Sequence, residues 1–158
     1  MKNYFRLFIG FIVVAPIALI TCFVSFFTGK QKAVEILGPK VTMISKLMQQ
    51  FFPPKISSAS EFSLFKSKLK DKRKIWSMLY DYPIEYPDDN TVKLVIKNCP
   101  FAEAIVKLNI SEFGYYMCQG DWEIANDNSD KWAFERNCTI GTGGAVCDFT
   151  YKQIEYKN

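Results

Sequence analysis

An α+β fold is predicted by three observations: an uncharged apolar run near the N-terminus, helix-period patterning after it, and strand-period patterning confined to the C-terminal half. The expected order is an N-terminal transmembrane helix, two amphipathic helices, then a small antiparallel sheet with helices inserted between its strands. Residues 1–29 are read as a membrane anchor and residues 30–158 as one α+β domain. With 49% hydrophobic and 16% aromatic residues among 158, the chain has enough apolar mass for a packed core, which excludes a disordered polypeptide.

No residue from Leu7 to Phe27 is charged. As a helix this run is about 31 Å long, the thickness of a bilayer's hydrocarbon core. Lys2 and Arg6 precede it, Lys30 and Lys32 follow it, and Tyr4, Phe26 and Phe27 stand near the two ends as interfacial anchors. Pro16 sits mid-span, where membranes tolerate it. A cleaved signal peptide needs a shorter apolar core and a small-x-small site, whereas this run ends in Thr28-Gly29-Lys30. Leu19-Ile20-Thr21-Cys22 departs from a lipoprotein box at its threonine, and apolar residues continue past it. An uncleaved, single-pass anchor in the cell membrane is therefore expected, with lipid as a partner.

Positive charge is nearly balanced across the run, so the cysteines arbitrate orientation. Cys99, Cys118, Cys138 and Cys147 would suffice for two disulfides in an oxidising compartment. A domain of this size needs no such staples, and a Cys-x-x-Asp arrangement points to chemistry, so the soluble domain is expected on the cytoplasmic face. The net charge of +4 owes part to Lys2 and Arg6. That field is too weak to argue for a nucleic-acid partner.

After the anchor, Val34, Ile36, Leu37, Val41, Ile44, Leu47 and Met48 recur at helical spacing, interrupted at Gly38-Pro39 and ended by Pro53-Pro54. Ser60 is placed to cap a second helix running to about Tyr80. The run Lys66, Lys68, Lys70, Lys72, Arg73 and Lys74 on that helix is either a solvated face or a contact for anionic headgroups. Pro83, Pro87, Asp88, Asp89 and Asn90 read as turn residues, and Thr91 to Lys97 as a strand. Pro100 opens a helix and Ser111 caps another. Lys131 to Cys138 and Ala145 to Tyr156 read as two further strands joined by Gly141-Thr142-Gly143-Gly144.

The chain contains no histidine, which removes Ser-His and Cys-His nucleophile pairs and every imidazole base. Proton transfer falls to Asp, Glu, Cys, Lys, Tyr or water. Thiols and carboxyls concentrate in three stretches: Asn98-Cys99-Pro100-Phe101, Tyr116 to Trp122, and Thr139 to Phe149.

At these residues the chain resembles the L-2-amino-thiazoline-4-carboxylic acid hydrolase family. Cys99-Pro100-Phe101 closes a strand, Asp121 follows Cys118 by three residues, Arg136 stands ahead of Thr139, and Gly143-Gly144 runs into Cys147-Asp148. The resemblance covers roughly Lys30 to Tyr151 and implies hydrolytic opening of a cyclic thiazoline amidine. The position after Asp148, which can be histidine in such sequences, is Phe149 here.

Opening a thiazoline requires water at the C=N carbon and a proton for the leaving sulfur or nitrogen. Asp121 and Asp148 are candidates for that work. Alternatively Cys118, or Cys147 beside Arg136, attacks as a cation-favoured thiolate. Backbone N–H groups at Gly143 and Gly144 can hold an anion, Arg136 can clamp a carboxylate, and Cys99 adds a thiol to the substrate contacts. Each has a duller use. Cys99 and Cys138 can pack as small hydrophobes, Asp121 can cap locally, Asp148 can serve a turn, the glycine loop can be a plain hairpin, and Trp122 and Trp132 can be core aromatics. Cys99, Cys118, Cys147 and Asp121 could in principle ligate zinc, but no Cys-x-x-Cys pair accompanies them, so neither metal nor cofactor is expected. Three function classes follow: a membrane-anchored hydrolase acting on a small-molecule substrate, a non-catalytic ligand-binding or sensory domain, and a membrane-associated interaction protein.

Overall fold

The computed structural model describes residues 2–154. Helices α1 (Lys2–Thr28), α2 (Lys30–Gln49) and α3 (Phe62–Trp76) come first, then strands β1 (Ile84–Asp88) and β2 (Thr91–Ile96). Helices α4 (Pro100–Lys107) and α5 (Gly114–Asp127) separate these from β3 (Trp132–Glu135) and β4 (Cys147–Gln153). The four strands form one antiparallel sheet in the order β1-β2-β4-β3. The architecture is α+β, with a long apolar helix at its N-terminus.

Alternation decides which sheet face is covered. Val92, Leu94 and Ile96 of β2 stand opposite Tyr151, Phe149 and Cys147 of β4, and all six are buried. On that face an aromatic cluster forms: Phe65 of α3 meets Trp132 and Tyr151, while Phe52 meets Trp76, Tyr80, Tyr82 and Phe149. Helix α2 packs on α5 through polar groups. Thr42 donates to the Tyr116 carbonyl at 3.0 Å, and Ser45 donates to the Met117 carbonyl.

Several boundaries differ from the sequence reading. Helix α2 runs unbroken through Gly38-Pro39. Pro39 lacks an N–H, yet both it and Glu35, whose carbonyl loses a partner, face solvent, where water replaces the bond. The second amphipathic helix begins at Phe62 and ends at Trp76, after a 3₁₀ turn over Ala59–Glu61; Ser60 does not cap it, and its hydroxyl pairs with that of Ser58 instead. Ser111 likewise opens a 3₁₀ turn, not a helix. Strand β1 occupies residues read as a turn. Its Pro87 is compatible with an edge strand, and its register shifts between Glu85 and Asp88. The last strand, read as far as Tyr156, is described to Gln153, and Tyr156 lies outside the described residues.

Helix α1 is long and apolar enough to cross a membrane, yet one face of it is docked on the domain. Arg6, Gly10, Val14, Ile17 and Thr21 are buried. Gly10 lies so close to the Pro100 carbonyl that a side chain there would collide with it. Arg6 donates to the Ser77 and Met78 carbonyls, each at 3.0 Å, and forms an ion pair with Asp81. Asn98 holds that loop in place: its side chain donates to the Leu79 carbonyl and accepts from the Asp81 N–H.

The paired guanidinium holds Asp81 well below the usual carboxylate range. Because its folded pKa is depressed, the stability it confers is present above about pH 4 and is lost as pH falls further. Asp81→Asn should destabilise the full chain by about 2 kcal/mol at pH 7, the scale of a hydrogen bond to a charged group. Denaturant titration across pH should show the gap between wild type and variant closing below about pH 4. A gap that persists undiminished in acid would exclude this pairing as its source.

Candidate active site

A cavity of about 220 Å³ lies where α1, α2, α4, α5 and the sheet converge. Its wall is largely apolar, with Ile9, Met48, Phe52, Trp76, Leu79 and Phe149 prominent. Gln49, Tyr80, Cys99, Cys118, Asp121 and Cys147 supply the polar atoms.

Each of those groups is placed by an identifiable local feature. Cys99 follows β2 and immediately precedes Pro100, the first residue of α4, so the strand-to-helix corner points it inward. Cys118 and Asp121 are three apart on α5 and therefore share a helical face. Cys147 begins β4 on the covered side of the sheet. Between them stands Thr139, whose hydroxyl is 2.9 Å from Cys118 Sγ and 3.5 Å from Cys147 Sγ. The Ile140 N–H donates to Cys147 Sγ at 3.3 Å.

Asp121 and Arg136 form a buried pair. Arg136 Nη1 donates to Asp121 Oδ2 at 2.7 Å and to the Cys118 carbonyl at 2.7 Å, with the side chains 7% and 15% exposed for Arg and Asp. The guanidinium lies 5.7 Å from the Trp122 ring centre and 6.0 Å from that of Phe149, a dry setting that favours a paired charge. Burial still dominates at the carboxyl: it pushes Asp121 up to about 7, against the opposing pull of Arg136. A carboxyl that titrates near neutrality can both take and return a proton there.

The thiols behave differently from the sequence expectation of cation-favoured thiolates. Burial pushes Cys99 up to about 12 and Cys118 up to about 11, and raises Cys147 as well. The nearby Asp121 carboxyl adds to the rise at Cys118 and Cys147, outweighing Arg136. These are protonated thiols at neutral pH.

Other expected site residues fall outside the cavity. Asp148 Oδ1 accepts the Asn137 N–H at 3.0 Å and the Cys138 N–H at 2.6 Å, fastening the β3–β4 connection. Gly143 has φ 92° at the end of a 3₁₀ turn and is exposed, and Gly144 packs against Cys138. Gly141 lies against Gly114 and Cys118 Sγ, and like Gly144 it has no room for a side chain. Arg136 Nη1 is bonded to Asp121 and to the Cys118 carbonyl, which positions the carboxyl. Among the described residues no group of three or more His, Cys, Asp or Glu side chains could hold a metal ion. Thr139, Tyr80 and Gln49 were not singled out by sequence. Only Thr139 carried a signal, as part of the Arg136-to-Thr139 spacing.

The chain matches the L-2-amino-thiazoline-4-carboxylic acid hydrolase family over residues 11–151. It belongs to that family. The match begins inside α1, well ahead of Lys30, so most of this helix lies within the shared region. Comparison with curated proteins finds no match.

Thiol reactivity provides a direct check on the electrostatics. Alkylation of Cys118 and Cys99 in the folded chain at neutral pH should be slower than that of an ordinary cysteine by about a hundredfold or more, following the thiolate fraction. Denaturation should abolish the difference. Rapid modification of Cys118 in the native protein, tracked by peptide mass spectrometry, would mean an activated thiolate.

Proposed function

We propose that this chain is a membrane-associated hydrolase that opens a small cyclic amidine at a C–N or C–S bond, with Asp121 as its proton-transfer group. The observation that carries the reading is the buried Asp121 carboxyl, paired with Arg136 at 2.7 Å in the wall of a largely apolar cavity. Family membership supports hydrolysis of a thiazoline ring. In this reaction water adds across the C=N bond, its oxygen joining the carbon. Asp121 takes the water proton and returns it to the leaving sulfur or nitrogen as the tetrahedral carbon collapses. Oδ2 is held by Arg136, which leaves Oδ1 for the reacting water. Cys118 and Cys147, protonated and aligned by Thr139, are neutral S–H groups at the ring and not nucleophiles.

The cavity wall also shapes the substrate. Asp121 draws a basic amidine, whereas a free carboxylate would enter a largely apolar wall beside that same acidic group. A 2-aminothiazoline lacking the carboxylate should therefore bind more tightly than the carboxylate itself, as read by calorimetry. This lining favours a second reading, a ligand-binding or sensory domain that retains the pocket without turnover. Five free cysteines, three of them around the cavity, fit a reducing compartment and a cytoplasmic placement of the domain.

Turnover of a 2-aminothiazoline by the full chain should rise with pH through about 7 as Asp121 ionises. Asp121→Asn should reduce it by about a hundredfold or more and remove that limb. Arg136→Gln should move the limb to higher pH, because Arg136 is what draws the carboxyl down. Binding of the compound without conversion by wild type would replace the hydrolase reading with the ligand-binding one.

A further inference from the structure

Helix α1 is tied to the same domain at both ends. At its start, Lys2 Nζ is 3.0 Å from Asp81 and Arg6 is held by Asp81 and the Ser77 and Met78 carbonyls. Just past its end, Lys30 Nζ lies 2.6 Å from Glu112 and 3.4 Å from the Asn109 carbonyl. Between the two ends, Gly10 rests on Pro100, and Val14, Ile17 and Thr21 are buried. Twenty-seven residues make a rod of about 40 Å, longer than the hydrocarbon core is thick. A rod with both ends on one domain cannot place them on opposite sides of a bilayer. Crossing in the docked state would also draw α4, with exposed Glu103 and Lys107, to membrane depth, at a cost of several kcal/mol per charge.

Among the described residues the opposite face of α1 has no partner. At 100° per residue, Tyr4, Phe8, Ile12, Leu19, Phe23 and Phe26 fall opposite the buried stripe, and they are 82%, 61%, 55%, 72%, 68% and 85% exposed. No charge interrupts this stripe from Leu7 to Phe27, and no acid precedes Glu35, while Lys2, Lys30 and Lys32 flank it. A protein partner would be met by a polar rim and hydrogen-bonding groups. An unbroken apolar stripe whose flanking cations, Lys2, Lys30 and Lys32, outnumber the acids paired with them, Asp81 and Glu112, is complementary to acyl chains beneath an anionic headgroup layer.

We infer that α1 lies flat in one leaflet of an anionic membrane, its outer face among the acyl chains and its inner face on the domain, and does not span the bilayer. This deepens the membrane association proposed above and rests on it. The Cys99-Pro100-Phe101 corner then contacts the membrane helix through Pro100 while Cys99 and Phe101 wall the cavity, and Ile9 of α1 is itself part of that wall.

The test uses the full chain in a Cys22→Ser background, with Asn3→Cys or Gln31→Cys added, bound to preformed phosphatidylcholine–phosphatidylglycerol vesicles. A membrane-impermeant maleimide applied outside should label both introduced cysteines to completion. Protection of either one until detergent is added would show that α1 crosses, overturning the flat arrangement while leaving membrane association standing. Phe8→Lys combined with Phe23→Lys should abolish flotation with these vesicles, leaving the circular dichroism and melting of the domain unchanged, since both residues are exposed. Flotation undiminished in that variant would overturn the assigned face. Failure of wild type to float, with a dimer in buffer that the same substitutions dissociate, would overturn both readings in favour of a second copy.

Discussion

Arg136 and Asp121 meet in the interior at 2.7 Å, and the arrangement of the site depends on that contact. Arg136 follows β3 directly and Asp121 lies on α5, so the pair fastens the helix to the sheet beside the cavity. The guanidinium also takes the Cys118 carbonyl, which fixes the turn of α5 carrying that thiol. Trp122 and Phe149 enclose the cation and keep water away. Drying lifts the Asp121 carboxyl to about 7, and it raises the Cys118 and Cys99 thiols above the ordinary cysteine range.

Much of this fold was legible because its signals are local. The apolar run, the helix-opening Pro100 and the alternation of β2 each depend on a few neighbouring residues. The family resemblance was also legible, because Cys118, Asp121 and Arg136 keep a distinctive spacing. What could not be read depends on distant partners. Strand β1 was hidden because Pro87 and Asp88 are turn formers, and only pairing with β2 makes the segment a strand. The upward shift of the thiols was hidden for the same reason: its sign follows burial, which sequence proximity to Arg136 does not report. Asp148 offered a second carboxylate and the Gly143-Gly144 turn offered backbone N–H groups, both by residue type alone. Strand alternation turns Asp148 away from Cys147, and its carboxylate closes a loop.

The apolar N-terminal run illustrates a further limit. Composition and length establish that α1 can reside in a membrane, and they say nothing about which face is already taken. That information lies far along the chain, in Asp81, Pro100 and Glu112, and each contact would be wasted in a helix that left the domain to cross a bilayer. Arg6 is the strongest case, since a buried guanidinium without Asp81 is unfavourable and its partner loop is held by Asn98. Asn98 begins the same Asn98-Cys99-Pro100-Phe101 corner that contributes a thiol and an aromatic ring to the cavity. Docking of the apolar N-terminal helix and shaping of the cavity therefore use one set of residues, which makes that helix part of the cavity wall.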